Sequence, residues 1–152
     1  MLVIASPPRD NDGQVIPHDH SEISNNDEVI RRISQQQTVL DKDGQRIISS
    51  MAYKASSGKN GGMSVDLKQL IEKDGLDPKD YVTTPRWMGS VLFKVSELRA
   101  MEFKVGYNPI EPPSPDPNPY HGEVWGRFSG SQTRRLKTLA VWFVPIPNVN
   151  LT

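Results

Sequence analysis

Six prolines crowd the twelve residues from Asn108 to Pro119, and no other stretch limits the fold as strongly. Each proline removes a backbone donor and fixes φ near the polyproline value. No sheet interior can lie there, so the segment must be a loop between two elements. Its flanks fit that reading: Phe103-Lys104-Val105-Gly106-Tyr107 before it and Tyr120 to Phe128 after it alternate apolar and polar residues, the period of a half-buried strand. A smaller group, Pro7, Pro8 and Pro17 with the turn pair Asp12-Gly13, sits where almost nothing is apolar. This predicts an extended arm over residues 1–28 ahead of one globular domain, 29–152.

Within 29–152 the patterns change every few residues. Val29 to Ile33 reads as a strand, and Thr38 to Leu40 with Gln45 to Ile48 reads as a hairpin around Asp43-Gly44, whose glycine supplies the positive φ of a tight turn. The returning strand is expected to continue through Ser49 to Tyr53. Ser56 to Gly62 holds three glycines and predicts a flexible loop. Ser64 is placed to cap a helix running to about Asp74, with Leu67, Leu70 and Ile71 on one face and Gly75 as its stop. Leu76 to Tyr81 reads as a turn. Gly89 to Val95 is β-branched and strand-like, and Ser96 can cap a turn or two through Met101. Ser129 or Ser131 can cap a basic helix, Gln132 to Leu139. Ala140 to Ile146 is apolar enough for a central strand or one buried on both faces. Together these predict an α+β domain: a mixed, mainly antiparallel sheet with two or three short helices on one face.

Composition narrows the function classes. Lysines and arginines number 18, matched by 18 acidic residues, and a balanced charge argues against non-specific nucleic-acid binding, which needs a basic surplus. The chain has no cysteine, so disulfide, thiolate-metal and cysteine-nucleophile chemistry do not apply. The apolar start, residues 1–5, is too short and lacks the basic flank of a signal peptide, and no apolar run approaches the ~20 residues of a membrane span. A cytoplasmic protein with no membrane attachment is the expectation.

Three constellations are candidate sites. His18-Asp19-His20 and His121-Gly122-Glu123 each place polar side chains two residues apart, hence on one side of extended backbone; an arm folded over the His121 strand would make His18, His20 and His121, with Glu123, a metal-ligand set. Arg31 or Arg32 on a first strand, Ser50 on a following one and Glu123 on a late one form a second set, with His121 beside it. Arg127 and Arg134, at the start of the basic helix with Ser129 and Ser131, form a third, an anion or phosphate-bearing cofactor site built from guanidinium groups and helix N-terminal amides. Trp125, next to Gly126, is a candidate pocket wall. There is no phosphate loop of the G-x-x-x-x-G-K-[ST] kind and no G-x-S-x-G elbow, and nothing in the sequence specifies a cofactor.

The order Arg31 or Arg32, Ser49-Ser50, Glu123 resembles the Arg–Ser–Glu pattern of ADP-ribosyltransferases, in which the resemblance implies roles in holding a dinucleotide's phosphates, ordering the site and stabilising the reacting ribose. It departs from that pattern at position 121, a histidine where a Gln or Glu stands in the family, and lacks a Ser-Thr-Ser run. Over nearly the whole chain, runs such as Pro17-His18-Asp19-His20, Gly62 to Asp66 and Tyr120 to Gly126 resemble those of an uncharacterised family of small bacterial proteins. The resulting expectation is a non-enzymatic interaction or accessory protein of a bacterial cytosolic system, binding a protein partner through its loops. The alternative is a small enzyme or ligand-binding protein taking a nucleotide-like or phosphorylated ligand at Arg31 or Arg32, His121 and Glu123.

Overall fold

The computed structural model describes residues 4–152; the apolar start at residues 1–3 lies outside the described residues. The elements follow as β1 (Glu28–Ile33), β2 (Thr38–Leu40), β3 (Arg46–Ile48), β4 (Met63–Leu67), α1 (Lys68–Lys73), α2 (Pro78–Val82), β5 (Gly89–Lys94), α3 (Val95–Ala100), β6 (Lys104–Tyr107), β7 (His121–Trp125), α4 (Gly130–Leu139) and β8 (Val141–Val144). Six strands form one sheet in the order β6-β7-β4-β1-β5-β8, and β2 with β3 forms a separate hairpin. Every pair of named strands is antiparallel. Parallel pairing among the described residues is confined to one isolated bridge, Ile47 to Asn150. The class is α+β.

Register divides the sheet into two faces, because successive side chains alternate and cross-strand partners share a side. One face carries Val105, Val124, Met63, Val65, Leu67, Val29, Ile33, Val91 and Phe93, all buried. Leu70 and Ile71 from α1, Leu98 from α3, Leu136 from α4 and Tyr53, whose ring meets Phe93 edge-on at 5.8 Å, join them in one core. The opposite face carries Glu123 and His121 of β7, Ser64 and Asp66 of β4, and Arg32 of β1. It is the polar face, and Arg32, His121 and Glu123 of the candidate sites lie on it.

Several expectations are corrected here. The helix expected to start at Ser64 starts at Lys68, because Met63-Ser64-Val65-Asp66-Leu67 alternates with the period of a strand and pairs on both sides, with β1 and β7. Ser50 to Ala52 is a turn of 3-10 helix capped by Ser49, whose hydroxyl accepts from the Met51 amide, so β3 ends at Ile48. The expected turn over Leu76 to Tyr81 is largely helix α2, which runs on to Val82 and is capped by the Asp77 side chain with Pro78 in its first turn. Three short helices, α1, α3 and α4, pack on the apolar face as expected, while α2 carries Tyr81 to the polar face, where Arg32 lies over its ring at 5.7 Å. β8 is an edge strand paired with β5 alone.

The arm is packed, and its backbone turns at Asp10–Gly13, His20–Ile23 and Ser24–Asp27. Arg9 and Val15 bridge around Asp12-Gly13, and Val15, His20 and Ile23 are buried. The His20 amide donates to the Val105 carbonyl at 2.9 Å, and the Val105 amide donates to Asp19 Oδ1 at 3.1 Å, so the arm satisfies the outer edge of β6. Arg99 of α3 clamps it by bonding Asp19 at 3.0 Å, Asn25 at 2.7 Å and the Ile23 carbonyl at 2.7 Å. Gly106 lets the arm cross, since a Cβ there would meet the Trp125 ring at 2.5 Å and the His18 backbone at 2.8 Å. The glycine loop is fixed as well. Trp125 Nε1 donates to the Asn60 carbonyl at 2.8 Å, and Asn60 Nδ2 donates to Asp10 at 2.9 Å.

Candidate functional site

The polar face is roofed by two segments, the Pro-rich loop over Asp66, Arg32 and His121, and the arm with the glycine loop over Glu123. Each roof encloses a cleft. The first, about 500 Å³, is lined among others by Arg32, Asp66, Tyr81, Trp87, Ile110 and His121, a volume in the range of small-ligand and peptide sites.

Asp66 is the centre of the first cleft. It is 3% exposed, and Arg32 grips it through two bonds, Nε to Oδ2 at 2.8 Å and Nη2 to Oδ1 at 3.0 Å. Asn118, the one buried residue of the Pro-rich loop's second half apart from the strand that follows, donates Nδ2 to the same Oδ1 at 2.7 Å. The Asn118 side-chain oxygen in turn accepts from the Tyr81 hydroxyl at 2.9 Å and the Tyr120 amide at 3.0 Å. Burial and the neighbouring Asp66 charge push the Tyr81 hydroxyl above its ordinary pKa, so it stays protonated as a donor. Tyr120 is pushed up to about 12 by its own hydrogen bond to Asp74. The cleft therefore has a polar floor whose members satisfy one another, with Trp87 and the loop's apolar residues as walls.

Arg31 and Arg32 separate, as alternation demands. Arg31 points to the core side, donating to the Ala52 carbonyl at 2.9 Å and the Ser64 carbonyl at 2.9 Å, and burial lowers its pKa. It ties the 3-10 turn to β4, and it also borders the first cleft. Ser50 belongs to that turn and lines none of the clefts described here, while Glu123 lines the second cleft. The Arg–Ser–Glu set is thus divided between two sides of the sheet and two separate clefts.

The three histidines are also not one site. His121 donates Nδ1–H to the Asn108 carbonyl at 2.6 Å, which leaves Nε2 as the acceptor of the neutral ring. His18 donates Nδ1–H to the Ile16 carbonyl at 2.8 Å, so its Nε2 accepts from His20 Nδ1–H at 3.1 Å. His20 Nε2 is buried without a partner, and burial, followed by the neighbouring His18, lowers the His20 pKa. His18 and His20 pack on Trp125 and Tyr107, with ring centroids at 5.3 and 6.0 Å. The pair fastens the arm, and among the described residues no group of three His, Asp or Glu side chains is arranged to hold a metal ion. This corrects the metal set His18, His20, His121: the first two are turned toward each other and the third toward Asn108.

Arg127 and Arg134 are exposed, and the amide of Gln132 in the first turn of α4 is taken by the Ser129 cap at 3.3 Å. Arg127 borders a cleft of about 420 Å³ with Glu102 and Gln132, but Arg134 does not join it. Trp125, expected as a pocket wall, is buried and serves to hold the glycine loop. Asp66, Tyr81, Trp87 and Asn118 are the site residues that sequence reasoning missed. The alternation of Met63 to Leu67 was the available signal for Asp66.

No helix among the described residues is long and apolar enough to cross a membrane. Comparison of the chain with family models, with curated proteins and with solved structures finds no match.

Proposed function

We propose that the chain is a non-enzymatic binding protein whose recognition site is the Trp87 cleft, and that the ligand is a short segment of a partner protein. The observation that carries this reading is the closed polar network under the cleft. Asp66, Arg32, Asn118 and Tyr81 are bonded to one another, so these four offer a fixed shape, and none of them is poised to attack or to exchange protons. Aromatic and proline side chains form the walls: Trp87, Tyr81, Pro115 and Pro117. Such residues give large contact area at little entropic cost and are enriched where proteins meet. A phosphorylated or nucleotide-like ligand at Arg32 would first have to displace Asp66 from a two-bond pairing, which disfavours the enzyme-like alternative.

The test is photo-crosslinking followed by titration. Met88, exposed beside Trp87, is replaced by a photoreactive phenylalanine analogue, and irradiated cells of the native host are searched for a labelled partner by mass spectrometry. A peptide spanning the labelled segment is expected to bind the unmodified chain. Trp87→Ala is expected to weaken it by about 2 kcal/mol or more, roughly thirtyfold. Labelling without any discrete partner, or a peptide whose affinity ignores Trp87→Ala, overturns the reading.

A further inference from the structure

The second cleft, about 540 Å³, lies between the Arg9–Val15 turn of the arm and the glycine loop, and Glu123 of β7 lines it. Glu123 is 7% exposed. Its carboxylate accepts two hydrogen bonds, from the Gly62 amide at 3.3 Å and from Asn108 Nδ2 at 2.6 Å. Both donors are neutral, and among the described residues no lysine or arginine is paired with it. A buried carboxylate ordinarily carries a cationic partner, as Asp66 does two strand positions away. A carboxylate can accept at about four lone-pair positions, so room remains at both oxygens.

The cations on the cleft wall are already engaged. Lys59 Nζ lies 3.6 Å from Asp10, and Arg9 Nη1 donates to the Gly13 carbonyl at 2.8 Å. The walls are themselves tied down, the loop to the arm through Asn60 and Asp10 and the loop to the sheet through Trp125. A preformed cleft with an uncompensated buried negative charge calls for a positive ligand that reaches in from solvent.

The geometry points to Glu123 as the seat of an alkylammonium group: the second cleft binds a primary amine, its –NH3+ against the Glu123 carboxylate and its carbon chain along the cleft. A planar guanidinium pairs best with two oxygens free on the same side, whereas here each oxygen already accepts one bond. A compact ammonium with three rotatable donors suits the remaining positions better. A divalent cation lacks the ligand set. A free small amine and a lysine side chain of a partner share this chemistry. The assignment is independent of the Trp87 cleft.

NMR titration of the full 15N-labelled chain tests it, read at the Gly62 amide and the Trp125 indole N–H. The probes are n-butylamine, Nα-acetyl-lysine-methylamide and, as the uncharged control, n-butanol. Saturable shifts at both reporters with an amine and none with butanol are expected; butylamine alone marks a free amine as the source, and the capped lysine alone marks a side chain. Glu123→Gln keeps the shape, and Asn108 can reverse its amide to suit it. That variant is expected to bind at least about tenfold more weakly, while Trp87→Ala leaves the shifts unchanged. Absence of saturable shifts in the unsubstituted chain overturns the assignment, whether or not the Gln variant folds. Equal affinity in a folded Gln variant overturns it too.

Discussion

Asp66 and Glu123 are two buried carboxylates on one face of one sheet, on adjacent strands, and they are held in opposite ways. Asp66 has a two-bond arginine and an amide from the Pro-rich loop. Glu123 has two neutral donors and, among the described residues, no paired arginine or lysine. The first arrangement closes on itself and belongs to the architecture; the second leaves charge available. Burial alone therefore does not distinguish a structural acid from a recognising one, whereas the identity of its partners does.

The contrast is broken most forcefully at Arg32. Arg32→Ala leaves Asp66 buried without a cation, and the cost is expected to be about 3 kcal/mol, the low end for a broken buried pair because part of the Arg32 side chain reaches water. Urea denaturation measures it; a loss near zero would mean that Asp66 is not held by its arginine. Glu123→Gln is expected to cost about 1 kcal/mol or less, since only neutral hydrogen bonds are rearranged. If the Gln variant proved as damaging as Arg32→Ala, Glu123 would be structural after all.

The smallest effect concerns the arm that roofs Glu123. The folded state lowers the His20 pKa below its ordinary 6.5, so the folded chain binds the proton less readily than the unfolded one. Stability is thus fully present above that value and falls as pH drops through it toward the lowered folded value. Thermal midpoints at pH 7.5 and pH 5.5 should differ in that direction, and the difference should shrink in His20→Gln. A midpoint that rises on acidification would contradict the buried, neutral ring.

Much of the fold could be read from residue order because its signals are local. Asp43-Gly44 between two short apolar runs predicts the β2–β3 hairpin, and Gly89 to Val95 predicts β5. The errors occur where two local signals compete. Ser64 with Leu67, Leu70 and Ile71 suits a helix, yet alternation through Asp66 is satisfied by two neighbouring strands, and sheet pairing prevails. The run at Val141 to Val144 looked central from its apolar content but lies at an edge, where Val141 is exposed. The site was less legible still. Arg31 and Arg32 were visible as alternating residues, but their fates depend on Asp66 and Ala52, more than twenty residues away in the chain. Asp66 stands opposite His121 through a pairing between β4 and β7 that no short window contains.

The fastening of residues 19 and 20 onto Val105 gives the arm a second role besides roofing a cleft. Antiparallel sheets are vulnerable at their borders, where spare donors and acceptors invite other extended chains. Here a non-strand segment occupies that border with one donor and one acceptor, and prolines upstream prevent it from lengthening into a ladder. Trimming the chain to begin after residue 24 would uncover β6 and turn a guarded margin into an adhesive one, so self-association on truncation is the arm's hidden signature.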